Sequence, residues 1–142
     1  TMFMGAMGAE VIKIEPIWGE MTRMFPPLVK GQSPYFLFVD RCKKGITLDL
    51  KNQKGKKIFL DLVKKADVVM ENFSPGTMDR LGLGWDVLQK HNLGIIYASI
   101  SGFGHTGPWV DRRSFDPIAQ ATSGYMWLMK DAIDPDGQDD AG

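Results

Sequence analysis

The sequence predicts an α/β chain in which short strands alternate with helices and pair in parallel. Three observations carry this. Apolar, β-branched runs of strand length recur at residues 10–15, 46–50, 67–72 and 95–100. An amphipathic helical segment separates the second run from the third, and two shorter helical segments separate the third from the fourth. Glycine-rich or polar loops follow the runs, as they do where βαβ units leave a parallel sheet. Composition agrees: of 142 residues 44% are hydrophobic and 24% charged, which is ordinary for a globular chain and excludes a disordered or fibrous one.

The elements follow in order. Residues 1–9 are rich in Met, Gly and Ala, with no basic stretch before them. They make neither a signal peptide nor a membrane span, and read as the last turns of a buried helix. Small residues at 5, 6, 8 and 9 would let that helix pack closely on a sheet. Val11, Ile12 and Ile14 mark the first strand, and residues 16–31, broken by Pro16, Gly19, Pro26, Pro27 and Gly31, a long loop. The aromatic run 35–39 is a short strand or a buried helical turn, and the alternation over 46–50 is the second strand. In 52–65, Ile58, Phe59, Leu62 and Val63 fall on one helical face, with Lys54, Lys56, Lys57, Lys64 and Lys65 on the wet side. The third strand, 67–72, leads through a loop at 73–76 into short helices at 77–81 and 85–91. The fourth strand, 95–100, is followed by a glycine-rich loop at 101–108. A helix over 115–128 packs through Ile118, Ala119, Ala121, Thr122, Tyr125 and Met126. No internal repeat or low-complexity segment interrupts this order.

Charge and motif content narrow the chemistry. Lys plus Arg and Asp plus Glu each number 17, so the chain is neutral and not built to hold a nucleic-acid backbone or an anionic membrane. One cysteine, Cys42, excludes an internal disulfide and a Cys-cluster metal site, and fits a reducing, cytoplasmic compartment. His91 and His105 are too few for a metal centre; His91 reads as helix surface and His105 as a loop residue within reach of a ligand. There is no G-x-G-x-x-G fingerprint, no phosphate-binding P-loop and no G-x-S-x-G elbow. Ligands of open α/β sheets bind beyond the carboxyl ends of the strands, which points to the loops at 15–23, 72–76 and 101–108.

Seven blocks then occur in order: Gly8-Ala9-Glu10-Val11-Ile12-Lys13-Ile14-Glu15; Gly19-Glu20-Met21-Thr22-Arg23; Lys43 with Ile46-Thr47-Leu48-Asp49-Leu50-Lys51; Ala66-Asp67-Val68-Val69-Met70-Glu71-Asn72-Phe73-Ser74-Pro75-Gly76; Met78-Asp79-Arg80-Leu81-Gly82-Leu83-Gly84; Ser99-Ile100-Ser101-Gly102-Phe103-Gly104-His105-Thr106-Gly107-Pro108; and Phe115-Asp116-Pro117-Ile118-Ala119-Gln120-Ala121. Together they resemble the N-terminal part of the class III CoA-transferases, the CaiB/BaiF family. The resemblance implies that residues 1–142 are part of a Rossmann-like large domain, with the opening strand and the C-terminal region outside the chain. It implies an interlocked homodimer, or a heterodimer with a related subunit. It also implies transfer of coenzyme A from a thioester donor to a carboxylic acid through an aspartyl-CoA intermediate. No metal or further cofactor enters; the CoA thioester is a substrate.

The same resemblance assigns residues. Lys51, Arg80 and Arg113 fall where the family contacts the CoA, cations being what its phosphates require. For Lys51 and Arg113, plain surface charge is the alternative. Asn72 falls where the family lines the CoA channel. Leu48 falls at a backbone contact to the adenine end, or is simply a core leucine. The nucleophile belongs after residues 123–126, where Asp139-Asp140-Ala141-Gly142 fits the pattern; the spacing picks Asp139, with Asp140 as the alternative and an acidic linker as the bland reading. Pro16 stands where some members place an arginine, and Asp40 where asparagine is commoner.

Two other readings compete. An α-methylacyl-CoA racemase shares the fold, but it needs a proton-transferring histidine where this chain has Phe115. A non-catalytic CoA-binding subunit of a hetero-oligomer would keep the blocks and lack the nucleophile.

Overall fold

A computed structural model describes residues 1–133, so the Asp139 and Asp140 assignment lies outside the described residues. The chain divides into two units, residues 1–65 and 66–142. Each is built around one parallel strand pair.

In the first unit, helix α1 (Met2–Ala6) precedes strand β1 (Val11–Glu15), a 3-10 turn (Met21–Met24), helix α2 (Pro34–Val39), strand β2 (Lys43–Thr47) and helix α3 (Gln53–Val63). β1 and β2 pair in parallel from Val11↔Lys43 to Glu15↔Thr47. This corrects the second strand, expected at 46–50. The five residues of β1 select 43–47 as their partner. Leu48 donates one further backbone bond to Glu15, and Asp49 Oδ1 then accepts the Lys51 N–H and turns the chain away. The Asn52 side chain accepts the Lys54 N–H and starts α3. Phe59 and Val63 are buried in α3 as its periodicity predicts, whereas Ile58 is exposed. The aromatic run resolves as the helical turn α2. Ser33 caps it by accepting the Phe36 N–H, and Pro34 sits in its first turn, where a missing N–H costs nothing. The expected burial of α1 is not observed: no residue of this helix is buried in the chain. Its small residues do permit close approach, since a Cβ on Gly5 would lie 3.1 Å from the Cys42 carbonyl oxygen.

In the second unit, strand β3 (Val68–Glu71) leads through helices α4 (Thr77–Arg80) and α5 (Trp85–His91) to strand β4 (Ile96–Ser99). The two strands pair in parallel from Val68↔Ile96 to Glu71↔Ser99. Met78, Leu83, Leu88 and Ile95 are its buried apolar side chains. The single helix expected over 115–128 is two: α6 (Asp116–Thr122) and α7 (Tyr125–Ile133). Gly124 between them takes φ +78°, a left-handed value that stops a helix cheaply only at glycine. The face expected to be packed is open here, with Ile118, Tyr125 and Met126 all exposed.

The strands pair two by two rather than as one sheet among the described residues. No helix among them is long and apolar enough to cross a membrane.

Candidate functional site

Each strand pair ends in a glutamate. In the first unit that residue is Glu15, the last of β1 and only 6% exposed. A carboxylate so withdrawn from water needs partners. Arg23, on the 3-10 turn, supplies two: Nε donates to Oε2 at 2.8 Å and Nη2 to Oε1 at 2.9 Å. The Arg23 hydrogen bonds hold the Glu15 carboxyl below its ordinary value and outweigh burial, which pushes the other way. Lys13 extends the network to Glu20 at 2.7 Å and to Asp40, and Lys43 reaches Asp40 at 2.8 Å. Burial raises the Asp40 carboxyl, but the bonds from Lys13 and Lys43 win and hold it low. The Phe36 ring lies 4.0 Å from the Arg23 guanidinium carbon and 4.7 Å from Lys13 Nζ. The loop after β1 is thus fastened to its strand by charge.

In the second unit the residue is Glu71, the last of β3. Its Oε1 accepts from Tyr97 Oη at 2.9 Å and from Ser99 Oγ, and its Oε2 accepts the Phe73 N–H at 2.6 Å. Strand geometry explains the set. Ser99 is the register partner of Glu71, and Tyr97, two residues earlier on β4, shares its face. Burial and the Glu71 bond push the Tyr97 hydroxyl up to about 12. Ser99 Oγ also lies 2.7 Å from His105 Nε2, which ties the loop after β4 into the cluster. That loop folds back on its own chain: a Cβ on Gly102 would fall 2.1 Å from Ser114 Cβ. Phe103 meets Trp109 edge-on at 5.3 Å, and Arg112 lies over the Trp109 ring at 4.7 Å. On the same loop Ser101 Oγ is withdrawn from solvent and has no hydrogen-bond partner among the described residues.

The residues singled out from sequence fall into both units. Asn72 is exposed, immediately beyond β3. Arg80, at the end of α4, donates to Thr77 Oγ1 at 2.7 Å and to the Pro75 carbonyl at 3.4 Å, which orients its guanidinium over the loop at 74–77. Arg113 is exposed at the far end of the loop after β4. The second unit therefore carries Asn72, Arg80 and Arg113 on segments that follow its two adjacent strands or the helices between them. Lys51 and Leu48 belong to the first unit, after β2. Lys51 is exposed; Leu48 is buried and its N–H is taken by Glu15, so only its carbonyl remains for a backbone contact. Among the described residues no group of three His, Cys, Asp or Glu side chains is arranged to hold a metal ion.

Sequence reasoning gave no role to Glu15, Arg23, Glu71, Tyr97 or Ser99, although all lie in the quoted blocks or the fourth strand. The available signal was an acidic residue ending an apolar strand, where burial obliges it to find donors.

Residues 1–138 match the sequence model of CoA-transferase family III. The chain is 50% identical over 127 residues to an acetyl-CoA:oxalate CoA-transferase of Acetobacter aceti, covering 89% of this chain and 33% of that protein. It is 44% identical over 130 residues to the human succinyl-CoA:glutarate CoA-transferase, covering 90% and 30%. A crystal structure of a CaiB/BaiF family protein from Brucella suis superposes with a TM-score of 0.79 at 41% identity, over 84% of this chain and 33% of that one. The chain spans about a third of the length of the curated relatives it matches.

Proposed function

The chain belongs to CoA-transferase family III, and from that premise we propose that its protein moves coenzyme A from an acyl-CoA donor to a small carboxylic acid. The observation that carries this reading is the family match over residues 1–138, with relatives that bear CoA-transferase names. The exposed residues Asn72, Arg80 and Arg113 suit a polyphosphate ligand at the strand ends of the second unit. Lys51 and the Leu48 carbonyl are the corresponding contacts in the first.

The chemistry runs through a carboxylate nucleophile, for which Asp139 is the proposed residue. Its oxygen attacks the donor thioester carbonyl, the C–S bond breaks, and an acyl-aspartyl anhydride and CoA thiolate result. The thiolate attacks the aspartyl carbonyl, expelling the donor as its free carboxylate and leaving aspartyl-CoA. The acceptor carboxylate attacks that thioester and releases the thiolate again. The thiolate then attacks the acceptor carbonyl, giving the new thioester and regenerating Asp139. Covalent catalysis of this kind divides one hard exchange into easier ones.

Large apolar side chains stand open on the described residues, and the rest of the protein or a partner subunit is needed to cover them. Trp18, Met21 and Met24 in the first unit and Phe115, Trp127 and Leu128 in the second are more open than a solitary soluble surface favours. A homodimer, or a heterodimer with a related chain, is the proposed state. The named activities of these relatives point to oxalate- or glutarate-like acceptors and acetyl- or succinyl-CoA donors.

The test is trapping. The full-length protein incubated with donor thioester should accumulate an aspartyl-CoA adduct that hydroxylamine converts to a hydroxamate at Asp139. Asp139→Ala should abolish transfer and Asp140→Ala should leave substantial activity. Turnover with no labelled aspartate would overturn the covalent route.

A further inference from the structure

Glu71 constrains more than the end of its strand. An ionised carboxylate only accepts, and a serine hydroxyl has one proton to give. Ser99 Oγ gives that proton to Glu71 Oε1, where Tyr97 Oη also donates. The 2.7 Å contact between Ser99 Oγ and His105 Nε2 must then be donated by the imidazole. A neutral imidazole protonated on Nε2 carries its lone pair on Nδ1.

We propose that Glu71, acting through Ser99, fixes His105 as the Nε2-protonated tautomer, so that the loop after β4 presents Nδ1 as a hydrogen-bond acceptor to the CoA thioester. The ligand half of this rests on the reading under Proposed function; the tautomer half does not. His105 is exposed on a loop that leaves the carboxyl end of a parallel strand, where ligands of such sheets bind. The groups that an acceptor there would recognise are the amide N–H and hydroxyl donors of the pantetheine arm. Glu71 and Ser99 are positioning residues. The same carboxylate holds the Phe73 N–H at 2.6 Å, so one side chain sets the loop that carries Asn72 as well as the loop that carries His105. Ser101 Oγ, buried on the second loop, has no hydrogen-bond partner among the described residues.

The experiment uses the full-length protein with 15N-labelled histidine in mildly alkaline buffer, where tautomers are read from the ring nitrogen shifts. The expected spectrum has His105 protonated on Nε2, and Ser99→Ala should release the ring into exchange between tautomers. His105→Gln keeps both a donor for Ser99 and an acceptor for ligand; His105→Leu keeps neither. KM for the donor thioester should rise about three- to tenfold in His105→Leu, the value of one neutral hydrogen bond, and stay near the parent value in His105→Gln. In both variants kcat should hold within about twofold, because the contact forms equally in ground and transition states. A ring protonated on Nδ1 in the parent, or a tautomer indifferent to Ser99→Ala, overturns the positioning role. Equal KM in His105→Leu and the parent overturns the ligand contact. A parent protein that binds no CoA overturns that contact together with the transferase reading, while the spectrum still decides the tautomer.

Discussion

Replacing Arg23 by alanine should destabilise the protein by about 2–3 kcal/mol at neutral pH. The magnitude comes from what Arg23 leaves behind. Glu15 is 6% exposed and accepts two bonds from the guanidinium, at 2.8 and 2.9 Å. Breaking a fully buried ion pair costs about 3–5 kcal/mol, because the remaining charge has no partner. Two features reduce this. The Arg23 side chain is itself 49% exposed, so water can enter where it leaves, and Lys13 Nζ stands 3.8 Å from Glu15. Loss of the guanidinium stacked on Phe36 adds back about 0.5–1 kcal/mol. The pH dependence has a definite sign. Arg23 bonding holds the folded Glu15 carboxyl below 4.5, so the pair contributes stability above that pH and loses it as pH falls through the folded value. Urea unfolding of parent and variant at neutral pH and near pH 3 measures both terms. A difference under about 0.5 kcal/mol at neutral pH, or one that does not shrink in acid, would refute the argument.

Arg80→Ala should weaken CoA binding by about 1.5–3 kcal/mol in calorimetry on the full-length protein, as loss of a charge-assisted phosphate contact does; unchanged affinity would remove Arg80 from the site. Tyr97 should ionise near 12 in a tyrosinate absorbance titration. Its phenol is favoured in the folded state, so the stability it contributes is complete below about 10 and is lost as pH rises through 12. Glu71→Gln should bring that ionisation to lower pH. Gly55→Ala should destabilise despite alanine's helix preference of about 1 kcal/mol, because the new Cβ would sit 2.1 Å from the Asp49 carbonyl oxygen and overpacking against backbone costs about 1–3 kcal/mol. Gly45→Ala, whose Cβ would meet nothing within 4 Å, is the control and should be close to neutral in the same unfolding assay.

The strand and helix order was legible because each element carries its own period. The helix expected at 85–91 is observed as Trp85–His91, and the fourth strand differs from its expected span only at the ends. The failures have a common source. The second strand lay three residues early because its partner, not its own alternation, chose the register. The expected helix over 115–128 concealed a break, because a left-handed glycine leaves no mark on hydrophobic periodicity. The open face of Ile118, Tyr125 and Met126 carries an apolar pattern that the described residues do not bury. The proposed CoA contacts were read from residue type, and the side chains that orient Arg80 were not. Arg80 is aimed by Thr77 and Pro75, and nothing in either residue's identity announces that.

The two glutamates share a physical logic at the ends of their strands. A parallel strand pair leaves most of the loop that follows it without ladder partners, so a loop at that edge must be fixed by side chains or left loose. Placing a carboxylate at the final strand position gives the loop an acceptor with two oxygens, anchored by the strand itself. Glu15 uses it to capture Arg23 from the segment that follows β1. Glu71 uses it to capture the Phe73 N–H behind it and Tyr97 and Ser99 beside it. The difference lies in what each carboxylate receives. Arg23 delivers a charge that neutralises Glu15 and closes the account locally. The donors to Glu71 are neutral, so its charge is distributed along hydroxyl bonds to Ser99 and on to His105. The first arrangement fastens a loop; the second fastens a loop and also sets which ring nitrogen the next residue in line presents.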